Sequence, residues 1–327
     1  MRKLNRLGRA AVVLLVLTFM MITCNVSAAK NFPAKPITLI VPFSAGGISD
    51  LLARLISDVS KKYISQPINV VNRPGGSGTI GINEVVTSKP DGYTLGLGSA
   101  GETCSALHLI KAPYNLDSYT PICQIGNSRY ALVVRKDAPW NNLKEFVDYV
   151  KKNPKMNVGV PGKGTVQHLT AEYFCQIANI DLNFVPFQGS GPVIPALLGG
   201  HVDAAMFNVT EILGMYKAKE VKLLTVFSQK RIETVDLKDV PTVKEQGFNV
   251  NVFGGAHFIV APNNIPSGTL RELRGLMKNI VADEKFVDTL LPMGYGPGYG
   301  TTSQSKKFFK EWYEISGGIY QKLGMVK

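Results

Sequence analysis

From residue 30 onward, the apolar positions of this chain keep switching between two periods. In Ile40–Asp58, IVPFSAGGISDLLARLISD, an apolar run stops at Pro42, Gly46 and Gly47 follow, and Leu51, Leu52, Leu55, Ile56 and Val59 then recur at helical spacing. That pattern predicts a strand over 37–41 and a helix over 49–63. Strands follow at 68–71, 94–98, 157–160, 183–186, 204–207 and 223–227, interleaved with helices near 81–87, 143–151, 165–177, 193–199 and 212–218. Two extended segments, 121–126 and 130–134, read as joined across a turn. A further extended stretch, 252–260, leads into helices over 269–291 and 303–323.

Strands and helices alternating at this spacing predict an α/β protein with largely parallel sheets. Two similar stretches of such units imply two domains rather than one very wide sheet. The extended regions near 125–135 and 250–258 are the natural crossings. The first domain is then discontinuous, 30–129 plus 254–327, and the second is 130–253.

The first 29 residues do not belong to that fold. Arg2, Lys3, Arg6 and Arg9 precede an apolar run from Ala10 to Ile22, and Ser27, Ala28 and Ala29 offer a cleavage site. This predicts a secretory signal peptide, 1–29, cleaved on export, because the run is short for a membrane span. The formal charge of +12 falls to +8 without the leader, with 32 basic against 24 acidic residues. No run of Lys and Arg interleaved with aromatics points to nucleic acid. Cys104, Cys123 and Cys175 remain after cleavage, too few for a disulfide framework. A Cys104–Cys123 bond and three buried free thiols are equally open readings. No Cys-x-x-Cys or Cys/His cluster supports zinc.

In open α/β sheets ligands sit beyond the carboxyl ends of strands. A helix starting there aims unsatisfied N–H groups and a partial positive charge at the ligand, and glycine lets the ligand approach the backbone. FSAGGISD (43–50) and PGKGTVQH (161–168) both meet that description, the second with Thr165 as a helix N-cap. Each lies near the start of its domain, so the two are placed to close on one anion from opposite sides. Asp50 reads first as a helix-start carboxylate, and His168 as either a ligand donor or a structural hydrogen-bonding group.

Other motifs weigh less. GLGSAG (96–101) and GSGTIG (76–81) match a dinucleotide fingerprint by letter but lack the acidic residue at the next strand end. GKGT (162–165) is not a P-loop, and no Gly-x-Ser-x-Gly elbow occurs. The histidines lie scattered at 108, 168, 201 and 257. A hydrolase using Ser49, Asp50 and His168 is the rival enzymatic reading, disfavoured because no nucleophile has an evident base and orienter.

FPAKPITLIVPFSAGGISDLLARLI, VVNRPGGSGTIGINEVVTSKPDGYTLGLGS, LKEFVDYVKKNP, FVPFQGSGPVIPALLGGHVDAAM and DVPTVKEQGF occur here in that order. In sequence and spacing they resemble the substrate-binding family of tripartite tricarboxylate transporters, the Bug-type binding proteins, from about residue 31 to the C-terminus. The resemblance implies a two-domain periplasmic-binding-protein fold, a type II-like Venus flytrap with the ligand cleft between its lobes. It also implies a small organic carboxylate as ligand and the membrane subunits of such a transporter as partner.

By its motifs the resemblance places Phe43, Ser44, Ala45, Gly46, Gly47 and Asp50 in one ligand loop and Gly164, Thr165 and His168 in the other. Ser99 and Asn208, at two strand ends, match positions that face the cleft. Three departures mark the distal pocket: Phe207 before Asn208 where the family often carries Asp, Gly-Ala-His before VAPNNIP where many relatives carry Trp-Tyr, and Lys163 where a small residue is usual. Phe207 either selects an apolar or aromatic acid or turns into the core. The resulting expectation is a non-enzymatic, monomeric periplasmic receptor with no catalytic residue, metal or cofactor and no nucleic-acid partner. A ligand sensor for a membrane kinase, using the same cleft, is the other non-enzymatic reading.

Overall fold

The computed structural model describes residues 32–250 and 255–326; the expected leader, 1–29, lies outside them. In the first lobe β1 (Ile37–Val41) runs into α1 (Ile48–Ser60), β2 (Ile68–Asn72) into α2 (Thr79–Val86), and β3 (Thr94–Ser99) into the one-turn α3 (Ala100–Thr103). Strand β4 (Tyr119–Ser128) passes through Arg129 alone into β5 (Tyr130–Arg135), the first strand of the second lobe. There α4 (Leu143–Lys152), β6 (Met156–Val160), α5 (Val166–Ala178), β7 (Leu182–Pro186) and α6 (Ser190–Leu198) follow, then β8 (Ala204–Asn208), α7 (Val209–Lys217) and β9 (Val221–Phe227). The chain re-enters the first lobe as β10 (Gly255–Pro262) and finishes with α8 (Ser267–Ala282), α9 (Glu284–Leu290), β11 (Gly296–Gly300) and α10 (Thr302–Lys322).

Among the described residues the six-stranded sheet has the order β11-β4-β10-β3-β1-β2 and the five-stranded sheet β7-β6-β8-β5-β9. The two share one plan. Three parallel strands, the earliest in the middle, are followed by an antiparallel strand that has just crossed from the other lobe. The sheets are therefore mixed rather than largely parallel. The reason is geometric: parallel strands end at the cleft, whereas β5 and β10 enter from it. The same rule separates β4 from β5, which form no hairpin; β5 pairs with β8 and β9.

Local chemistry explains the elements. On α1, Leu52, Ala53, Ile56 and Val59 face the core while Arg54 is exposed. Asn142 caps α4, its side chain accepting the Glu145 N–H, and Lys151 and Lys152 meet the helix C-terminus. All eight residues of β10 and all five of β8 are buried, which is why they read as apolar runs.

One core fills the outer face of the first sheet against α1, α8 and α9, and another the α6–α7 face of the second sheet. A third runs through both lobes, joining Phe309, Trp312 and Tyr320 of α10 to Leu169 and Phe174 of α5. Cys104, Cys123 and Cys175 are buried free thiols, so no Cys104–Cys123 bond forms: the two sit in different cores. Burial pushes all three thiols up, away from reactivity. Among the described residues no helix is long and apolar enough to cross a membrane.

Candidate functional site

Because both sheets follow one plan, the carboxyl ends of their parallel strands face each other, and a cleft opens between them. It encloses about 420 Å³, part of it open to solvent, and is lined from the first lobe by Phe43, Ser44, Gly47, Ile48, Ser49, Asp50, Ser99 and His257. Tyr130, Pro161, Thr165, Gln167, Gly189, Ser190, Asn208 and Glu211 line it from the second.

The first loop turns at Gly46, whose φ of +90° suits glycine, and hands over to α1 at Gly47. Asp50 braces it. One carboxylate oxygen accepts the Gly46 N–H at 3.2 Å, and Arg54 grips both oxygens at 3.0 Å; Asn72 donates at 3.1 Å, its amide also holding the Phe43 carbonyl at 3.0 Å. Burial opposes the charge, but the bonds from Arg54, Gly46 and Asn72 outweigh it and hold the carboxyl below its ordinary value. Asp50 is thus an ionised strut that shapes the loop.

The second loop is built similarly. Thr165 caps α5, accepting the His168 N–H and donating to the Gly162 carbonyl at 2.8 Å. Gly164 sits at φ +81° and donates its N–H to His168 Nδ1 at 3.3 Å. The His168 ring then lies away from the cleft, 3.4 Å from Glu172 and edge-on to Phe184. Burial, with Lys163 nearby, lowers its pKa to about 4, so it is a neutral acceptor for its own loop. Of the two readings left open for His168, the structural one holds, and Ser49, Asp50 and His168 are not assembled as a triad.

Ser99 and Asn208 occupy matching places, each ending the third parallel strand just before a helix, and the third residue of that helix, Glu102 or Glu211, turns back to accept its backbone N–H. Phe207 departs from the ligand role: it is fully buried among Ala131, Val133 and Val209 in the second lobe's core. The pleat explains this, since Asn208 faces the cleft and its neighbour must face the opposite side. Of the twelve expected residues, Phe43, Ser44, Gly47, Asp50, Ser99, Thr165 and Asn208 line the cleft, while Ala45, Gly46 and Gly164 shape its loops without lining it.

Sequence reasoning missed Glu211, Tyr130, Gln167 and Ser190, and met His257 only within the Gly-Ala-His departure. The N-x-x-E spacing of Asn208 and Glu211 is a capping-box signal that predicts the carboxylate's position at the strand end. His257 enters because β10 starts at the cleft. It is buried, which lowers its pKa to about 4, and its Nδ1 is 3.4 Å from the Tyr295 hydroxyl.

Among the described residues, three hydrogen bonds join the lobes across the cleft: Ser44 N–H to the Gln188 carbonyl (2.9 Å), Ser105 hydroxyl to the Gly164 carbonyl (2.8 Å) and Ile48 N–H to Glu211 Oε1 (2.7 Å). None of the lining residues is Lys or Arg. The cleft offers backbone N–H groups, hydroxyls and amides, which hold an anion through charge-assisted hydrogen bonds without a formal countercharge. Among the described residues no His, Cys, Asp and Glu cluster is placed to hold a metal.

A family model described as tripartite tricarboxylate transporter family receptor matches residues 52–325. A UPF0065 protein of Bordetella pertussis is 30% identical over 327 residues, covering 99% of both chains. The solved periplasmic binding protein BugD is 28% identical with a TM-score of 0.86, covering 90% of this chain and 100% of its own. MatC of Rhodopseudomonas palustris, solved with bound malate, is 27% identical with a TM-score of 0.83, covering 88% of this chain and 99% of its own.

Proposed function

The chain belongs to the tripartite tricarboxylate transporter receptor family, and on that premise we propose that it captures a small organic carboxylate between its lobes in the periplasm and delivers it to the membrane subunits of such a transporter. The observation that carries this reading is the pair of strand–glycine–helix loops, 43–47 and 161–165, facing each other across a cleft without Lys or Arg. The bound malate of MatC supports the ligand class. The chain acts as a monomeric, non-enzymatic receptor: ligand contacts to both lobes favour the closed arrangement, which the transporter recognises. Arg129, between β4 and β5, is one crossing between the lobes.

Gly47 and Thr165 test the clamp. Gly47 has φ −94°, so a side chain is sterically allowed there and would project toward Glu211 and Ser190. Gly47→Phe and Thr165→Phe are expected to weaken carboxylate binding roughly tenfold or more, by displacing charge-assisted hydrogen bonds, while thermal unfolding stays cooperative. Calorimetry with malate and adipate, after native mass spectrometry for a copurified acid, is the measurement. Undiminished affinity in both variants would sink the clamp.

A further inference from the structure

Glu211 does more than cap its own helix. Its carboxylate accepts the Asn208 backbone N–H at 3.0 Å and the Asn208 side-chain amide at 3.3 Å, takes a hydrogen bond from Ser190, and crosses the cleft to the Ile48 N–H. It is thus the second lobe's own acid, seated on the first N–H of α1. Among the described residues no Lys, Arg or His pairs with it. Asp50, the other acidic lining residue, differs, being gripped by Arg54. A buried carboxylate without a cation is costly: burial raises the Glu211 pKa against the bonds it accepts, and a cation brought by the ligand offsets that cost and favours the ionised form.

Beside it lies a second acceptor. Asn208 lines the cleft at 1% exposure, and its Oδ1 receives no hydrogen bond. Its amide nitrogen is committed to Glu211, which fixes the oxygen as the free end. One wall of the cleft therefore presents a carboxylate and an unpartnered carbonyl. An ammonium group, with three donors and one positive charge, meets both demands. A second ligand carboxylate placed there would instead face Glu211 and its repulsion. The Gln167 amide and the first turn of α5 stand on the cleft for the ligand's carboxylate.

We propose, building on the receptor function above, that the cleft selects a carboxylate bearing a protonated amine, an amino acid rather than a plain mono- or dicarboxylate, with Glu211 and Asn208 receiving the ammonium. The test is calorimetry on the full chain without its leader, using pairs that differ only in the amine: aspartate and succinate, glutamate and glutarate, alanine and propanoate, 4-aminobutanoate and butanoate. In at least one pair the amine-bearing acid is expected to bind tighter by roughly tenfold or more. Glu211→Gln, which can keep the cap but loses the charge, is expected to abolish most of that ratio. If the amine-free partner binds equally or tighter in every pair that binds, amine selection fails and the receptor function stands. A ratio that survives Glu211→Gln removes Glu211 from the role. If no acid of either kind binds, both readings fall. The paired comparison on the unaltered chain decides the matter even if the variant does not fold.

Discussion

Glu102 and Glu211 hold the same position in two copies of one local design, yet they do different things. Each is the third residue of a helix begun by a strand-end cap. Glu102 turns both oxygens back on Ser99, and burial, opposed by those bonds, pushes its pKa up to about 7. Glu211 spends one oxygen across the cleft. The same environment-driven logic, with opposite sign, governs His257. Burial lowers its pKa to about 4, against about 6.5 in the unfolded chain. Between these values only the unfolded chain takes the proton, so this residue's stabilising contribution is full above about pH 6.5 and is lost as pH falls toward 4. From pH 7.5 to 5 that loss is about 2 kcal/mol. His257→Gln should therefore lose about 2 kcal/mol less than the parent chain over that range, read by urea unfolding at both pH values. Identical losses would mean that the imidazole titrates as if exposed.

At the scale of elements, what could be read in the sequence was what is local. The strand before Pro42, the glycine turn and the apolar stripe of α1 all lie between Ile37 and Ser60, and their periodicity survives in the fold. The capping role of Thr165 was legible for the same reason. Strand β11, Gly-Pro-Gly-Tyr-Gly, has no apolar signature; it exists because β4 offers it an edge. The directions of β5 and β10 depend on which lobe the chain has just left, and of the two readings open for Phe207 the motif position alone does not choose; the pleat, which turns it into the core, does.

Nor could spacing show that α6 packs against the first ligand loop. A Cβ built on Gly191 would lie 2.1 Å from the Ala45 carbonyl oxygen, a backbone atom of the opposite lobe. Gly191→Ala suits the helix itself, but it wedges the cleft. Overpacking of this kind costs about 1–3 kcal/mol, so closure-dependent affinity should fall roughly five- to hundredfold. Calorimetry gives the affinity, and a melting temperature no lower than the parent's separates blocked closure from misfolding. Unchanged affinity would show that the ligand does not need the lobes this close.

For the whole molecule, the decisive feature is the core shared between lobes. A two-lobe chain of this size would ordinarily unfold in steps. Here, however, α10 belongs to both lobes: Trp312 donates to the Ala100 carbonyl at 3.1 Å, and Phe309 and Tyr320 lie in the same core as Leu169 and Phe174. At its far end the Lys322 carbonyl accepts from Gln176 of α5 at 3.4 Å. Separating the lobes would strip apolar surface from each, at about 25 cal/mol per Å² exposed, so neither keeps its stability alone. The chain's two tryptophans make this measurable. Trp140 reports on the second lobe, packed edge-on against Phe146 and Tyr149, and Trp312 reports on α10. With Trp140→Phe and Trp312→Phe as single-reporter chains, fluorescence and circular dichroism should give coincident urea midpoints within each variant. A ligand that fastens the cleft should move both signals together, by about 2.7 kcal/mol at a hundredfold excess over its Kd. Midpoints that separate would mean that the lobes fold independently and that α10 merely leans on the second.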